Sequence, residues 1–590
     1  MRSRAHIVLL LSAFGCGRSA HSEDASETHG RRPGVPQMIA PASGSYTGVS
    51  YGATRPTFVW APVKDERAIA YEVQVDDSCK PGSIETCGFG SPAIDTRTRE
   101  ASFRPDAPLP VGERQPVGLR YYFRVRACAG HLCSPWTRIR YVDVGRARGD
   151  FDGDGFSDIA VGAPLVDSGG RDRGAAFIYY GTPMGVGRQT RLIDPLADDD
   201  AAFGVAVSVA GDVNADGYAD LLIGAAGSSE ARGRAYVFLG SAKGLQQVGL
   251  REIRLPGGEV DDWFGSAVSG AGDVDGDGYA DVLVGASGKN RQGADWGVAY
   301  VFRGAPGGVR SDDSVQLTVS SSSNYDHFGF TVAGAGDLDG DGYADVAVGS
   351  PGIDQAGDRT GTDRGAVYVF RGSAVGVLET AAQRLEAPVP LDFDRFGYAV
   401  AAAGDIDADG YEDLLIGAPG RDDPDFDGGT AYFYRGSADG VHEVPDRVLQ
   451  DPRADILDRM GTSVSGAGDL NGDGFDDIVV GTAGANRGRA LVYYGSREGI
   501  PPRPGLFVED PLGPGYNEFA SSVAGAGDVN ADGVDDLVIG ASGADNGGDF
   551  RGSIVLYAGT RNGLATAKPL RRDDPAGGER DHFGHVVTGR

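Results

Sequence analysis

Signatures of catalysis are what this chain has least of. It holds eight histidines in 590 residues, and none stand in the HExxH spacing that a zinc hydrolase helix needs. A Walker sequence is absent too, which excludes a P-loop nucleotide site. The one GxSxG match, Gly48-Val49-Ser50-Tyr51-Gly52, opens a strand-rich segment. A nucleophile elbow needs a strand turning sharply into a helix, so the match is read as coincidence. Basic charge is short as well: 54 Lys and Arg against 84 Asp and Glu leave a net −30. Phosphate would be repelled, which excludes nucleic acid as a partner. Long apolar runs are missing. The one candidate, Ile7 to Phe14, is too short to span a bilayer.

That short run follows Arg2 and Arg4, and a basic start before an apolar core reads as an export signal over residues 1–16. Its end, Gly15-Cys16, resembles the lipobox of bacterial lipoproteins, which implies lipidation of Cys16 as the mature N-terminus; the alternative is a plain cleaved signal. The protein is thus expected to be lipid-anchored at the cell envelope or surface, otherwise secreted, and to meet a membrane only through that lipid. Residues 17–36 are polar with hardly an aliphatic side chain, and read as a tether.

Cysteine is scarce: five in all, and apart from Cys16 they are Cys79, Cys87, Cys128 and Cys133. Of three pairings, two local bridges, Cys79 to Cys87 and Cys128 to Cys133, are favoured over buried free thiols, which fits an oxidising compartment.

What the chain has in abundance is glycine, 95 residues, and aspartate, both set in a repeat. The stretch Arg148 to Pro164, RGDFDGDGFSDIAVGAP, recurs with its first carboxylate at Asp150, Asp212, Asp273, Asp337, Asp405, Asp469 and Asp528, 59 to 68 residues apart. A period of that length marks repeated supersecondary units. From each first Asp to the Gly of the GAP-like tail is always twelve residues, with no insertion.

Carboxylates at positions 1, 3 and 5 with Gly at 6 wrap oxygen ligands round one hard cation, and the pattern reads as a calcium loop. The oxygen-bearing positions 1, 3, 5 and 9 are Asp150, Asp152, Asp154 and Asp158; Asp212, Asn214, Asp216 and Asp220; Asp273, Asp275, Asp277 and Asp281; Asp337, Asp339, Asp341 and Asp345; Asp405, Asp407, Asp409 and Asp413; Asp469, Asn471, Asp473 and Asp477; Asp528, Asn530, Asp532 and Asp536. An EF-hand would run on to a Glu at position 12 between helices. Here a short β-branched run such as DIAVGAP follows, which reads as a buried strand. Seven calcium ions would bring −30 to about −16, so acidity is mostly metal-site acidity.

These residues resemble the FG-GAP repeat of the integrin alpha-subunit N-terminal β-propeller. The front half stands as Phe203-Gly204, Phe264-Gly265, Phe328-Gly329 and Phe396-Gly397, each Phe nine residues before its first Asp, with Met460-Gly461 and Phe519-Ala520 altered by one residue each. The resemblance covers residues 148–590 and implies a seven-bladed all-β propeller, with calcium loops on one face and ligand recognition on the other. Each blade is expected to hold four antiparallel strands. The third is an aromatic run such as AVYVFR opened and closed by Gly, and the fourth is looser, as at Arg191-Leu192-Ile193 or Arg447-Val448-Leu449. The first copy lacks an FG strand, whereas His582 to Arg590 is an FG strand with no calcium loop after it. The two halves are expected to complete one blade, with Arg590 ending beside Arg148 and Gly149. On this reading the Arg148-Gly149-Asp150 tripeptide belongs to the metal face and is accidental.

Residues 37–145 differ in texture. Thr57 to Trp60, Tyr71 to Val75, Tyr121 to Ala127 and Arg138 to Val144 read as strands. In the third of these, Tyr121, Phe123, Val125 and Ala127 take one face and Tyr122, Arg124 and Arg126 the other. With Trp60 and Ser134-Pro135-Trp136, the segment resembles a fibronectin type III domain, a β-sandwich before the propeller.

Away from the metal loops, an acid precedes most FG strands (Asp200, Asp326, Asp458, Glu518, Asp581) and an Arg precedes the third strand's Gly (Arg173, Arg232, Arg364, Arg487, Arg551). They read as rim ion pairs. Asp394 meets Gly428 in place of Arg, and Asp262 meets Trp296 with Trp263 beside it. Trp263, Asp262, Trp296, Tyr325 and Asp394 are therefore the candidate ligand residues: exposed aromatics near carboxylates without an Arg partner. The function expected is non-enzymatic recognition or adhesion of a protein or glycan; the alternatives are a calcium-dependent carbohydrate-binding propeller and an accessory module of a separate enzyme.

Overall fold

The computed structural model describes residues 32–589 apart from 49–53, 66, 68, 113, 249, 290–295, 320–325, 354–361, 423–426, 455, 485–487, 514–516 and 545–549. The proposed signal with Cys16, most of the tether and most of the GxSxG match lie outside the described residues, as do Tyr325, Arg487 and Arg590.

Seven four-stranded antiparallel sheets make a seven-bladed β-propeller. In blade 2 the strands run from the inside outward as Phe203–Gly211, Asp220–Ala225, Arg234–Phe238 and Arg251–Ile253. Blades 3 to 7 repeat this order, with inner strands Phe264–Gly272, Thr331–Gly336, Ala399–Gly404, Met460–Gly468 and Phe519–Gly527. Each second strand, such as Asp220–Ala225 or Asp345–Ser350, is buried at every residue. It is clad on both faces by neighbouring blades, which is why it reads as an uninterrupted apolar run.

Blade 1 is assembled from the two ends of the propeller segment. Ile159–Ala163, Ala175–Thr182 and Gly185–Ile193 take Val586–Thr588 as their inner strand, in the register Ala160 to Thr588 and Gly162 to Val586. Val586–Thr588 also touches the inner strands of blades 7 and 2, and the carbonyl of Gly589 lies against Gly149. Seven apolar cores lie between successive blades. The one between blades 7 and 1 joins Val538 and Ile554 to Val161, Phe177 and Phe583.

Both halves of the repeated motif serve these seams. The FG phenylalanine enters the core, as Phe203 does against Tyr236 and Phe238, and bridges back to the previous blade: Gly174 pairs with Phe203, Gly233 with Phe264 and Gly365 with Phe396. The GAP glycine faces the carbonyl of the next blade's FG glycine. A side chain on Gly224 would collide with the oxygen of Gly265, and one on Gly349 with that of Gly397. The FG glycine itself sits at a left-handed φ, +87° at Gly204 and +85° at Gly265, which suits glycine.

Before the propeller, a three-stranded sheet (Met38–Ala40, Phe58–Trp60, Ser102–Phe103) packs on a larger one. The larger sheet runs in the order Ser45–Tyr46, Arg140–Val144, Leu119–Ala129, Ile69–Asp76 and Ile94–Thr98, with Leu132–Cys133 paired to Leu119–Ala129. Trp60, Phe58, Tyr121 and Phe123 fill the core of this β-sandwich. The expectation of one buried and one wet face on Leu119–Ala129 is corrected at Tyr122. Its ring is buried with Ile84, Phe89 and Tyr141 under the loop that the Cys79–Cys87 disulfide closes. A second disulfide joins Cys128 and Cys133. No helix among the described residues is long and apolar enough to cross a membrane.

Candidate metal centres and the two propeller faces

In blades 2 to 7 the Asp-rich loop links the inner strand to the second strand, and in blade 1 it leads into the second strand at the end where Val586–Thr588 finishes, so all seven lie on one face. The first Asp organises its loop by accepting backbone N–H groups. Asp212 Oδ1 takes Asp216 N at 2.9 Å and Oδ2 takes Gly217 N at 2.9 Å, and Asp405 and Asp469 do the same. The ninth-position Asp ties the loop to the blade. Asp220 accepts Val213 N at 2.9 Å with one oxygen and Gly240 N, where the third strand ends, at 2.8 Å with the other. Adjacent loops are also joined: Ala219 N donates to the carbonyl of Asp150, Ala280 N to Asp212, and Ser157 N to Asp528, which links blade 1 to blade 7.

Carboxylate oxygens converge within 4.8 Å of one another in Asp150, Asp152 and Asp158; Asp273, Asp275 and Asp281; Asp337, Asp339 and Asp341; and Asp405, Asp407 and Asp409. The donor set fits a hard cation, because Oδ1 of Asp152, Asp337 and Asp407 is buried with no hydrogen-bond partner, a costly state for an anion unless something positive meets it. The carboxyls register the same conflict. Burial, with neighbouring carboxylates adding, pushes Asp405, Asp477 and Asp536 up to about 8. In the loops of blades 2, 6 and 7, Asn214, Asn471 and Asn530 accept the N–H of the fifth residue at 2.9–3.1 Å.

The sandwich docks on this face, an arrangement with no signal in the sequence beyond the arginines themselves. Arg120 is clamped on Asp143 at 2.8 Å and donates to the carbonyl of Gly278 at 2.6 Å. Arg146, also on Asp143 at 2.9 Å, reaches Asp212 at 3.6 Å. Arg140 lies 3.4 Å from Asp337 and donates to Gly340 O at 2.7 Å, and Arg138 stacks on Tyr343 at 3.1 Å. Backbone joins in: Val117 N donates to Gly153 O at 2.8 Å, and Gly82 N to Asp277 O. Loop glycines permit the approach, with Pro116 against Gly153 and Gly217, Pro81 and Ile84 against Gly278, and Ile39 against Gly410. Among the described residues, blades 1 to 5 are thus covered by the sandwich and the loops of blades 6 and 7 are not. The docked arginines ease their targets: burial raises Asp212 to only about 6 because Arg120 and Arg146 pull it back, and Asp337 to about 7 beside Arg140. Ser43 to Tyr46 close a cavity of about 350 Å3 at the axis, against Gly211, Gly272, Gly336 and Gly404.

On the opposite face the expected ligand residues are only partly as read. Trp263 is 41% exposed, whereas Trp296 is half-buried. Asp262 and Asp394 each have a cationic partner on Oδ2, although Oδ1 of each is buried with no hydrogen-bond partner. Both are fully buried, Asp262 pairing with Lys289 at 2.8 Å and Asp394 with Arg421 at 2.8 Å. The cation comes from the turn after the second strand in place of the missing Arg. The rim pairs differ as well: Asp200 bonds Arg171, Arg173 bonds Asp199 at 2.8 Å, Arg364 bonds Asp392 at 2.8 Å and Asp458 bonds Arg489. A cleft of about 360 Å3 opens between blades 5 and 6, lined by Phe393, Arg395, Tyr398, Asp422, Arg459 and Thr462. Phe393 is 55% exposed there, and Val389, Leu391 and Ile456 are exposed nearby in chain and on the same face. The candidate residues Trp263, Trp296 and Asp394 span blades 3 to 5, and Asp394 adjoins this cleft; Phe393 itself escapes the sequence reading because it is a single residue in a variable loop.

The fold is a seven-bladed propeller whose blades carry segments similar to the FG-GAP repeat. The FG-GAP repeat matches at residues 147–179, 203–238, 264–302, 328–370, 396–434, 460–493 and 519–557. Among relatives, the chain is 37% identical to human integrin alpha-IIb (Homo sapiens) over 187 residues, 31% of this chain and 17% of that protein. It is 35% identical to integrin alpha-5 of Xenopus laevis over 257 residues, 41% of this chain and 22% of that one. The chain therefore spans about a fifth of the length of these relatives. The exotype rhamnogalacturonan lyase YesX overlays with a TM-score of 0.31 at 12% identity, covering 90% of this chain and 92% of its own, an overlap that discriminates no function.

Proposed function

We propose that the chain is an exported, calcium-stabilised surface protein that binds a partner without catalysing a reaction, through the propeller face opposite the metal loops. The observation that carries this reading is the seat of the sandwich. It covers five of the seven metal loops, so the broad face left open is the other one. That face bears Trp263, Phe393, Val389, Leu391 and Ile456 exposed, with Arg395 and Arg459 at the cleft. Exposed apolar groups rimmed by charge are the composition of a binding surface. Calcium is the cation in this reading because the donors are hard oxygens in short acidic loops. Two disulfides and the signal-like start support export, and fibronectin type III likeness of the sandwich suits a spacer below the propeller.

The test is retention of native surface proteins and of arrayed glycans by the purified chain and by a Trp263→Ala/Phe393→Ala variant with unchanged Tm. Loss of the retained partner in the variant supports this face; equal retention places the site elsewhere. A glycan as the retained species would make Trp263 a sugar-stacking platform. Calcium is tested separately: chelator should lower Tm, and a Tm indifferent to chelator removes it from the reading.

A further inference from the structure

Four arginines reach the metal loops from the propeller itself, and they obey a rule that runs through the repeats. In blades 3, 4 and 5 the residue before the glycine that closes the third strand is Arg303, Arg371 or Arg435. Each meets Oδ2 of its loop's third-position aspartate: Asp275 at 3.6 Å, Asp339 at 3.1 Å and Asp407 at 2.7 Å. Blade 1 has Tyr180 at that place, and Arg188 comes from the outer strand instead, stacked over the Tyr180 ring and 2.7 Å from Asp152 Oδ2. In blades 2, 6 and 7 the third position is Asn214, Asn471 or Asn530, and the residue before the closing glycine is Leu239, Tyr494 or Ala558. Carboxylate and guanidinium arrive together and are absent together.

The chemistry of the exchange is simple. An aspartate whose Oδ2 is covered by a guanidinium offers the loop what an asparagine offers, one oxygen and no surplus charge. Two of the four inner oxygens bond as the asparagine oxygens do. Oδ1 of Asp275 and Asp339 accepts the N–H of the fifth residue at 3.2 Å, as the three asparagines do. Oδ1 of Asp152 and Asp407 is buried and unmet. Counting the four loop positions and the propeller's own arginine alone, each loop carries three negative charges; the sandwich's Arg146 and Arg140 add to this in blades 2 and 4. The guanidinium then bonds onward to the next blade: Arg188 to Lys243 O at 2.8 Å, Arg435 to Glu498 O at 2.8 Å, Arg303 to Val375 O and Arg371 to Asp439 O.

We infer that Arg188, Arg303, Arg371 and Arg435 are positioning residues for a divalent cation, each offsetting the extra carboxylate of its own loop and fastening that loop to the following blade. The inference rests on the metal reading above. Its test is a double-mutant cycle in blade 4 of the full chain: Asp339→Asn, Arg371→Leu and both together, melted in chelator and in saturating calcium. Arg371→Leu should lower Tm in chelator, where Arg140 of the sandwich is left to offset four carboxylates, and recover part of the loss in calcium. Asp339→Asn should gain less from calcium than the wild type, because the guanidinium now opposes the ion. The double variant, which carries blade 2's own pair Asn214 and Leu239, should regain the wild-type calcium shift. Single effects that simply add in the double overturn the inference, as does a rescue of equal size with and without calcium, which would mark a bare ion pair. A wild type whose Tm ignores calcium fails the metal reading itself and is told apart by that. If a blade 4 single does not fold, Asp407→Asn and Arg435→Leu repeat the cycle in blade 5.

Discussion

At Ala520 the chain holds an alanine where the other blades have the FG glycine, and its φ is +63°. A left-handed conformation costs an L-residue roughly 1–2 kcal/mol, part of which glycine returns through its own entropy. Ala520→Gly should therefore stabilise the protein by on the order of 1 kcal/mol in chemical denaturation; a destabilised variant would mean that the methyl group's packing outweighs the backbone. The carboxyls of the metal loops give a second residue-scale expectation. Without cation, burial holds Asp405, Asp477 and Asp536 near 8 in the fold, against about 4 in an unfolded chain. The folded state then binds more protons than the unfolded one between those values, so stability in chelator should fall as pH rises from about 4 to about 8. Saturating calcium should flatten that slope, and denaturation midpoints measured across the range with and without the ion check it.

At the scale of the element, much of the architecture is legible in the sequence because each repeat states its strands by composition. Gly-bounded, β-branched second strands and aromatic third strands fall where the pattern places them, as Asp345–Ser350 and Ala366–Phe370 do. The metal loops are legible for the same reason: a turn that must gather backbone N–H groups on its first carboxylate tolerates no insertion. The short sandwich strands Ser45–Tyr46 and Ser102–Phe103 are not legible, since two residues carry no period. Nor is the pairing of Asp262 with Lys289 or Asp394 with Arg421. Those cations sit in the variable turn after the second strand, so comparison of repeats at fixed offset overlooks them. The third-position Asp and its arginine are in plain view in the sequence, some thirty residues apart, yet only the fold brings strand end and loop together.

For the molecule as a whole, docking of the sandwich turns on Asp143, fully buried between Arg120 and Arg146. Removing one partner of such a buried group leaves the others uncompensated, at a cost of about 3–5 kcal/mol. Asp143→Asn should loosen the sandwich from the propeller and expose the segment Gly145 to Arg148 to protease, while the separated propeller keeps its blades. Proteolysis at the wild-type rate would assign the docking to the backbone contacts alone. The covered and open loops should differ too: calcium in blades 6 and 7 has a direct path to chelator, whereas blades 1 to 5 must wait for the sandwich to lift. Stopped-flow chelation in two phases, merging into one in Asp143→Asn, is the expected result.

The inner strand of blade 1 gives the protein an order in time. Val586–Thr588 pairs with Ile159–Ala163, so as the chain emerges from the ribosome the first blade to be made is the last to be finished. Until then Ile159–Ala163 presents an unpaired, wholly apolar edge, the kind of edge that captures strands from other chains. The sandwich, made earlier still, already bonds to blade 1 through Val117 and Gly153. A nascent chain therefore meets its greatest hazard of misassociation late, and the sandwich, made before the propeller, is in place to hold the unfinished blade through that interval.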